Sequence, residues 1–235
     1  MAYRSQVVIG YGEVGQALKE VLACDCHDPY KHMVAPRKHY DVMHIAIPYT
    51  PTFIRHVKSY QKLFKPTLTI IHSSVSVGTS RKLAAVHSPV RGVHPHIAKG
   101  IKTFVKFFGG KDAKQAAKLF KNRGINVYTT ALSETTEALK LWDTTQYGVL
   151  IALEKEIYTY CKALGLDADV VYRLGNQTYN EGYIKLGRHE VLRPYLKHID
   201  GPIGGHCIIP NARLLHSSSA KSLIKKNISY KNQKK

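Results

Sequence analysis

The 235-residue sequence is short of cysteine, with four, and short of acid, with 16 Asp and Glu against 35 Lys and Arg. Cys24, Cys26, Cys161 and Cys207 are too few for a disulfide framework in a chain of this size. Cys24 and Cys26 also lie too close to bridge to each other. No apolar run approaches the roughly 18 residues that a membrane-spanning helix requires, so no membrane partner is expected. No secretory signal precedes the first apolar run. No internal repeat is present. These absences define the expectation of a reduced, cytoplasmic protein.

The shortage of acid leaves a formal net charge of +19. Such a field favours anionic partners: nucleotides, phosphorylated substrates, nucleic acid or an acidic surface. Part of the excess falls in Ser217–Lys235, where six lysines occur without an acidic residue. That composition predicts a solvated, mobile tail, more a solubilising end than a nucleic-acid arm. Apolar residues make up 44% of the chain, enough for one large domain or two small ones with a proper core.

Hydrophobic periodicity alternates along the first half. Tyr3–Ile9 reads as a strand ending in a glycine turn, Glu13–Leu22 as a helix, and Ala23–His27 as a second strand stopped by Asp28-Pro29. Further strands are predicted at Asp41–Ile47, Leu68–His72, Leu83–His87, Thr103–Phe108 and Ile125–Thr129, with helices at Phe53–Phe64 and Ala113–Asn122. Strands alternating with helices imply an α/β fold, a Rossmann-type doubly wound parallel sheet. From Ser133 the pattern changes to a nearly uninterrupted helix that runs to Leu164, with Gly148 inside and Gly165 as its stop; a second helix is predicted over Asp167–Tyr179. The expected organisation is a dinucleotide-binding domain over 1–130, a small all-helical substrate and dimerisation domain over 131–216, and the basic tail over 217–235.

The turn Gly10-Tyr11-Gly12-Glu13-Val14-Gly15 follows a strand and opens a helix. The first glycine permits a tight turn, the second lets backbone approach a pyrophosphate, and the third lets helix pack on strand. The helix N-terminus then offers amides and its positive dipole end to the phosphates. Asp28, with Asp25 as competitor, falls near the position where an acidic residue holds the ribose hydroxyls. Acid there favours NAD, because it repels the 2′-phosphate of NADP. The plain alternative is a turn aspartate before Pro29.

Several further segments together resemble the UDP-glucose/GDP-mannose dehydrogenase family. They are Ala46-Ile47-Pro48-Tyr49-Thr50-Pro51-Thr52, Ser73-Ser74-Val75-Ser76-Val77-Gly78-Thr79, Phe108-Gly109-Gly110, the helix from Thr135 through Lys140, Glu156 and Cys161, and Gly201–Pro210 with its Gly204-Gly205-His206-Cys207 core. Their order and spacing hold from Val7 to about Leu215. Only a short basic stretch follows Leu215 here, so a shortened form without the family's third domain is expected. The resemblance implies NAD-dependent oxidation of a nucleotide-sugar alcohol to a carboxylate, in two hydride transfers through a cysteine-bound thiohemiacetal and thioester. It also implies a homodimer through the long helix. By residue, it makes Cys207 the nucleophile and Lys140 the catalytic lysine, and it adds Ser74, Thr144, Asn211 and His206 to the catalytic set and Pro48 and Ser74 to the cofactor site.

The departures are specific. Thr144 stands where the family has asparagine, Asn211 where it has aspartate, and Val90, in Ser88-Pro89-Val90-Arg91, where it has a catalytic glutamate. A thioester needs an activated water to leave, and neither valine nor asparagine is a base. His94, His96 and His206 are candidates to move protons instead, although His94-Pro95-His96 also reads as a plain polar loop. With Cys207 they hold metal-ligand atom types, but their spacing fits no standard zinc pattern, so no metal is expected. Two alternatives therefore stay open. One is a two-electron hydroxyacid or prephenate-like dehydrogenase, in which Cys207 is incidental. The other is a catalytically decayed protein that binds nucleotide or nucleic acid.

Overall fold

The computed structural model describes residues 5–92, 94–205 and 207–232. Its strands are β1 (Gln6–Ile9), β2 (Asp25–His27), β3 (Val42–Ile45), β4 (Leu68–Ile71), β5 (Val86–His87), β6 (Lys106–Gly109) and β7 (Val127–Thr130), joined in one sheet in the order β2-β1-β3-β4-β5-β6-β7. β3 and β4 are buried on both faces, which is why they read as continuous apolar runs rather than as alternation. One face carries Val8, Val42, Leu68, Ile70 and Phe108 beneath helices α1 (Glu13–Leu22) and α5 (Ala113–Lys121), divided from it in sequence by α2 (Phe53–Phe64), α3 (Thr79–Lys82) and α4 (Ile97–Thr103). The other face carries Val7, Ile9, Met43, Ile45 and Ile71 beneath α2, whose Phe53, Val57 and Phe64 are buried.

The sheet departs from full parallelism at one place. β1 to β5 run parallel, whereas β5 and β6 pair antiparallel through His87 and Gly109, and β7 follows β6. A parallel neighbour needs a crossover along the sheet. Among the described residues the link from β5 to β6 holds one helix, the seven-residue α4, which the sequence pattern missed and which packs beside α1.

The chain divides into two compact units, Met1–Lys140 and Leu141–Lys235. The division falls later than the 130/131 change in pattern because the first turns of α6 (Ser133–Leu164) are tied to the sheet. There the buried Glu137 carboxylate accepts the amides of Gly78 (2.6 Å) and Ser80 (2.8 Å), and Thr136 Oγ1 lies 2.9 Å from His87 Nδ1. At its far end α6 closes on Gly165 in the left-handed region (φ +67°), with Leu166 N donating to Cys161 O at 2.8 Å. Beyond it, Asp169–Leu174 is π-helical rather than α-helical, followed by α7 (Gly175–Lys185) and α8 (Ile208–Leu214).

The predicted mobile tail is instead a packed helix, α9 (Ser218–Asn232). Ala220, Leu223, Ile224 and Asn227 recur at helical spacing; Ala220 and Leu223 enter a core with Ala152, Ile203, Ile208 and Ala212, and Asn227 Oδ1 accepts Ile203 N at 2.7 Å. Charge composition hid this stripe, because a lysine count does not register that a few apolar residues recur at helical spacing. The same packing explains Gly148. A Cβ there would sit 2.6 Å from Ile208 Cγ2 and 2.7 Å from Leu223 Cδ2, so a larger residue would make these side chains of α8 and α9 shift away from α6. Burial of Leu223 alone contributes about 2 kcal/mol. Ending the chain at residue 216 is therefore expected to lower the melting temperature by about 10 °C. A calorimetric scan that superimposes on that of the full chain would refute this role for α9.

Candidate nucleotide and active site

The glycine turn sits where β1 sends the chain to β2 on one side and β3 lies on the other, the switch point at which open α/β sheets bind ligands. Gly10 adopts φ +92°, and a Cβ there would lie 2.6 Å from Ala46 O. A Cβ on Gly15 would lie 1.9 Å from Gly10 O. Both positions therefore require glycine, the first for conformation and contact, the last for the approach of α1 to the turn. Gly12 is the N-cap of α1, with open space where its Cβ would be. Glu13 begins the helix and pairs with His94 Nδ1 at 2.5 Å, and Val14 packs against the core. The Gly15→Ala variant is expected to lose dinucleotide binding and at least about 3 kcal/mol of stability, since the clash is with backbone. Unchanged urea unfolding would show that the turn can yield.

Asp28 closes the turn from the end of β2. Its Oδ2 accepts Tyr11 N at 2.8 Å and its Oδ1 accepts Tyr30 N at 3.1 Å, while Lys31 Nζ donates to Tyr11 O at 2.8 Å. The competitor, Asp25, is engaged by Tyr40 Oη at 2.7 Å and by Arg37. Asp28 is thus the carboxylate at the glycine turn. On the other side of the switch point, Pro48 is exposed after β3 and Ser74 is half-buried after β4. The neighbouring Ser73 Oγ donates to Ile47 O at 2.6 Å and ties these two strand ends together. Open space over Gly12, the α1 N-terminus and a carboxylate beside the turn fit a dinucleotide.

Lys140 Nζ donates to Val90 O at 2.9 Å. Val90 itself is buried in the apolar core. Cys207 is exposed at the N-cap of α8, and His206 lies outside the described residues. Asn211 is buried one turn on; its Nδ2 donates to Thr144 Oγ1 at 3.1 Å, and that hydroxyl donates to Leu141 O at 3.1 Å. The two unusual residues therefore satisfy each other as a neutral pair. Cys26 is buried, Cys24 packs partly against the same core, and burial pushes the Cys24 thiol up to about 12.

A buried polar ladder crosses the sheet, and nothing in the sequence pattern announces it. His44 on β3, His72 after β4 and Lys106 on β6 are buried polar residues beside the apolar core of Val8, Val42, Leu68, Ile70 and Phe108. Lys106 Nζ donates to Ser88 O (3.2 Å) and Pro89 O (3.1 Å), so two lysines hold three successive carbonyls, those of residues 88, 89 and 90. Its ammonium lies over the rings of Phe108 and Phe120, and burial drives its pKa down to about 7. His72 Nδ1 faces Ser88 O at 2.9 Å and must donate, which leaves His72 Nε2 to accept from His44 Nδ1 at 3.0 Å. His44 Nε2 is then an acceptor, so Gln6 must turn its amide N–H toward it. His87 Nε2 likewise donates to Ser73 O, with Thr136 supplying a hydroxyl to Nδ1. Burial holds His44 and His87 down to about 3 and His72 well below the usual imidazole range.

A Rossmann-type unit followed by an all-helical unit is an architecture this chain shares with dehydrogenases of two kinds. Its sequence is similar to UDP-N-acetyl-D-mannosamine dehydrogenase of Methanococcus maripaludis, 30% identical over 135 residues. That match covers 55% of this chain but 28% of the curated relative's length. Among solved structures, the UDP-D-ManNAc dehydrogenase of Pyrococcus horikoshii superimposes with a TM-score of 0.79 at 18% identity, over 96% of this chain and 68% of that one. The 3-hydroxyisobutyrate dehydrogenase of Mycobacterium tuberculosis superimposes with a TM-score of 0.67 at 15% identity, over 97% and 94%. No protein-family model matches the chain.

Proposed function

We propose that this protein is an NAD-dependent oxidoreductase that oxidises a primary alcohol of an anionic, nucleotide-sugar-like substrate. The observation that carries the reading is the glycine turn at the β1/β3 switch point, with the Asp28 carboxylate bound to the Tyr11 amide. Gly10, Tyr11, Gly12, Glu13, Val14 and Gly15 would cradle the pyrophosphate, with Pro48 and Ser74 across from them. Asp28 would take the ribose hydroxyls and disfavour a 2′-phosphate. Bound NAD supplies the hydride acceptor. The net charge of +19 draws the anionic substrate in.

On this reading the alcohol loses a hydride and a proton to become an aldehyde, and the Cys207 thiol adds to the aldehyde carbon as a thiohemiacetal. The Lys140 ammonium stabilises the oxyanion that forms on addition. A second hydride loss gives a thioester, which water must then cleave. The Asn211–Thr144 pair favours a second reading, a two-electron hydroxyacid-type dehydrogenase, because neither residue activates water. Reduction of NAD against a panel of nucleotide sugars and small hydroxyacids tests both. Absence of cofactor binding and of turnover on every member would refute them together.

A second copy of the chain is the proposed partner of the helical unit. α6 exposes Trp142, Tyr147, Val149, Leu153, Tyr160 and Leu164, more apolar surface than one solvated helix carries comfortably. Sedimentation as a monomer at micromolar concentration would exclude it. Among the described residues no helix is long and apolar enough to cross a membrane.

A further inference from the structure

Between Asp41 and Asp112 the sequence contains eleven Lys and Arg and no acidic residue. Four of these cations, Arg55, Lys58, Lys62 and Lys65, lie on α2 and its C-cap. Steps of three, four and three residues align them in one stripe, and all four are exposed. The opposite side of the helix enters the core through Phe53, Val57 and Phe64, while Leu63 stays exposed.

The acids of this unit are engaged elsewhere. Glu13 and Glu20 are held by His94 and Lys102, Asp25 by Arg37 and Tyr40, Asp112 by Gln115, Glu134 by Arg81, and Asp28, Asp41 and Glu137 by backbone amides. Among the described residues no carboxylate pairs with the stripe. We propose that the α2 stripe is a docking surface for a nucleic-acid backbone. It is independent of the proposed oxidation, and it places the contact on a rigid helix rather than on the basic C-terminal segment.

The charge geometry supports this partner. Arg55 to Lys65 spans about 15 Å of helix, a length over which one strand of a duplex carries about four phosphates. Four unpaired cations meet that density without rearrangement. An anionic membrane fits less well. A helix that lies in a membrane surface needs an apolar face to insert; Phe53, Val57 and Phe64 of α2 are already buried against the sheet, which leaves Leu63 as its one exposed large aliphatic side chain.

The test is fluorescence anisotropy of a labelled, random-sequence 20-base-pair duplex with the full chain, across about 50–300 mM salt. Wild-type binding should weaken with salt, and Arg55→Gln/Lys58→Gln/Lys62→Gln/Lys65→Gln should remove about 3.6 from the log–log slope. It should also weaken binding at least about tenfold at 100 mM salt. The double variant Lys58→Gln/Lys62→Gln should remove about half as much, which keeps the test open if the quadruple variant misfolds. Lys111→Gln/Lys114→Gln/Lys118→Gln/Lys121→Gln, an equal charge change on and before α5 across the sheet, should leave the slope within about one unit. Equal losses from the two quadruple variants would overturn the proposal, as would no wild-type binding at the lowest salt. Tighter binding to anionic phospholipid vesicles than to duplex would overturn it too.

Discussion

Lowering the pH from about 6.5 toward 3 is expected to unfold the sheet-bearing unit, with a slope set by three buried histidines. His44 and His87 are held at about 3 and His72 is depressed by the same burial. In the unfolded chain all three take up protons near 6.5. Over that window the unfolded state binds more protons, so stability falls as pH falls. Each group contributes about 1.4 kcal/mol per pH unit once its unfolded form is protonated, about 4 kcal/mol per unit for the three. Against a typical total of about 5–15 kcal/mol this is decisive within two or three units. Lys106 acts with the same sign higher up: with its folded pKa at about 7 and its ordinary value of 10.5, stability rises with pH between those values. Urea midpoints from pH 4 to 9 measure both windows. His72→Gln, which keeps a donor for Ser88 O and does not charge, should cut the acid slope by about a third. An unchanged slope in that variant would mean that other groups govern acid unfolding.

Replacing Cys207 by serine is expected to lower NADH formation by at least about a thousandfold on the nucleotide-sugar reading, because an alkoxide at neutral pH is far scarcer than a thiolate. On the hydroxyacid reading the same variant keeps a rate within a few-fold of wild type. One assay therefore separates them. The wild-type time course carries a second distinction. With Val90, Thr144 and Asn211 in place of acids or their helpers, thioester hydrolysis lacks a base, so a burst of about two NADH per site should precede a slow phase. Hydroxylamine should release the acyl group and restore turnover. A linear time course with no trapped acyl group would exclude the covalent route. Asn211→Asp reverses the hydrogen bond, since Thr144 would then donate to the carboxylate, and it should speed the slow phase.

Much of the first unit was legible locally. The strand–turn–helix of residues 6–22 follows from glycine placement, and the structure shows that both Gly10 and Gly15 lack room for a side chain. Asp28 was distinguishable from Asp25 only weakly by distance along the chain, and the fold separates them by their partners. The antiparallel turn of β6 was not legible, because a strand's sequence does not record its direction. The ordering of α9 was missed because lysine count dominates composition, whereas burial depends on which side of the helix the few apolar residues share.

The sequence by itself determined the glycine turn, the alternation of strands and helices, the long helix ending at Gly165, and the residue types at positions 90, 144, 207 and 211. These rest on local conformational preference and short-range spacing. Only the tertiary structure decided that Asn211 and Thr144 are partners across 67 residues of sequence. It alone brought Gln6, His44, His72 and Lys106 into one ladder and, among the described residues, left the α2 cations without a carboxylate. Those are statements about which distant groups share a low-dielectric interior or an unpaired surface, and proximity of that kind arises only when the sheet closes.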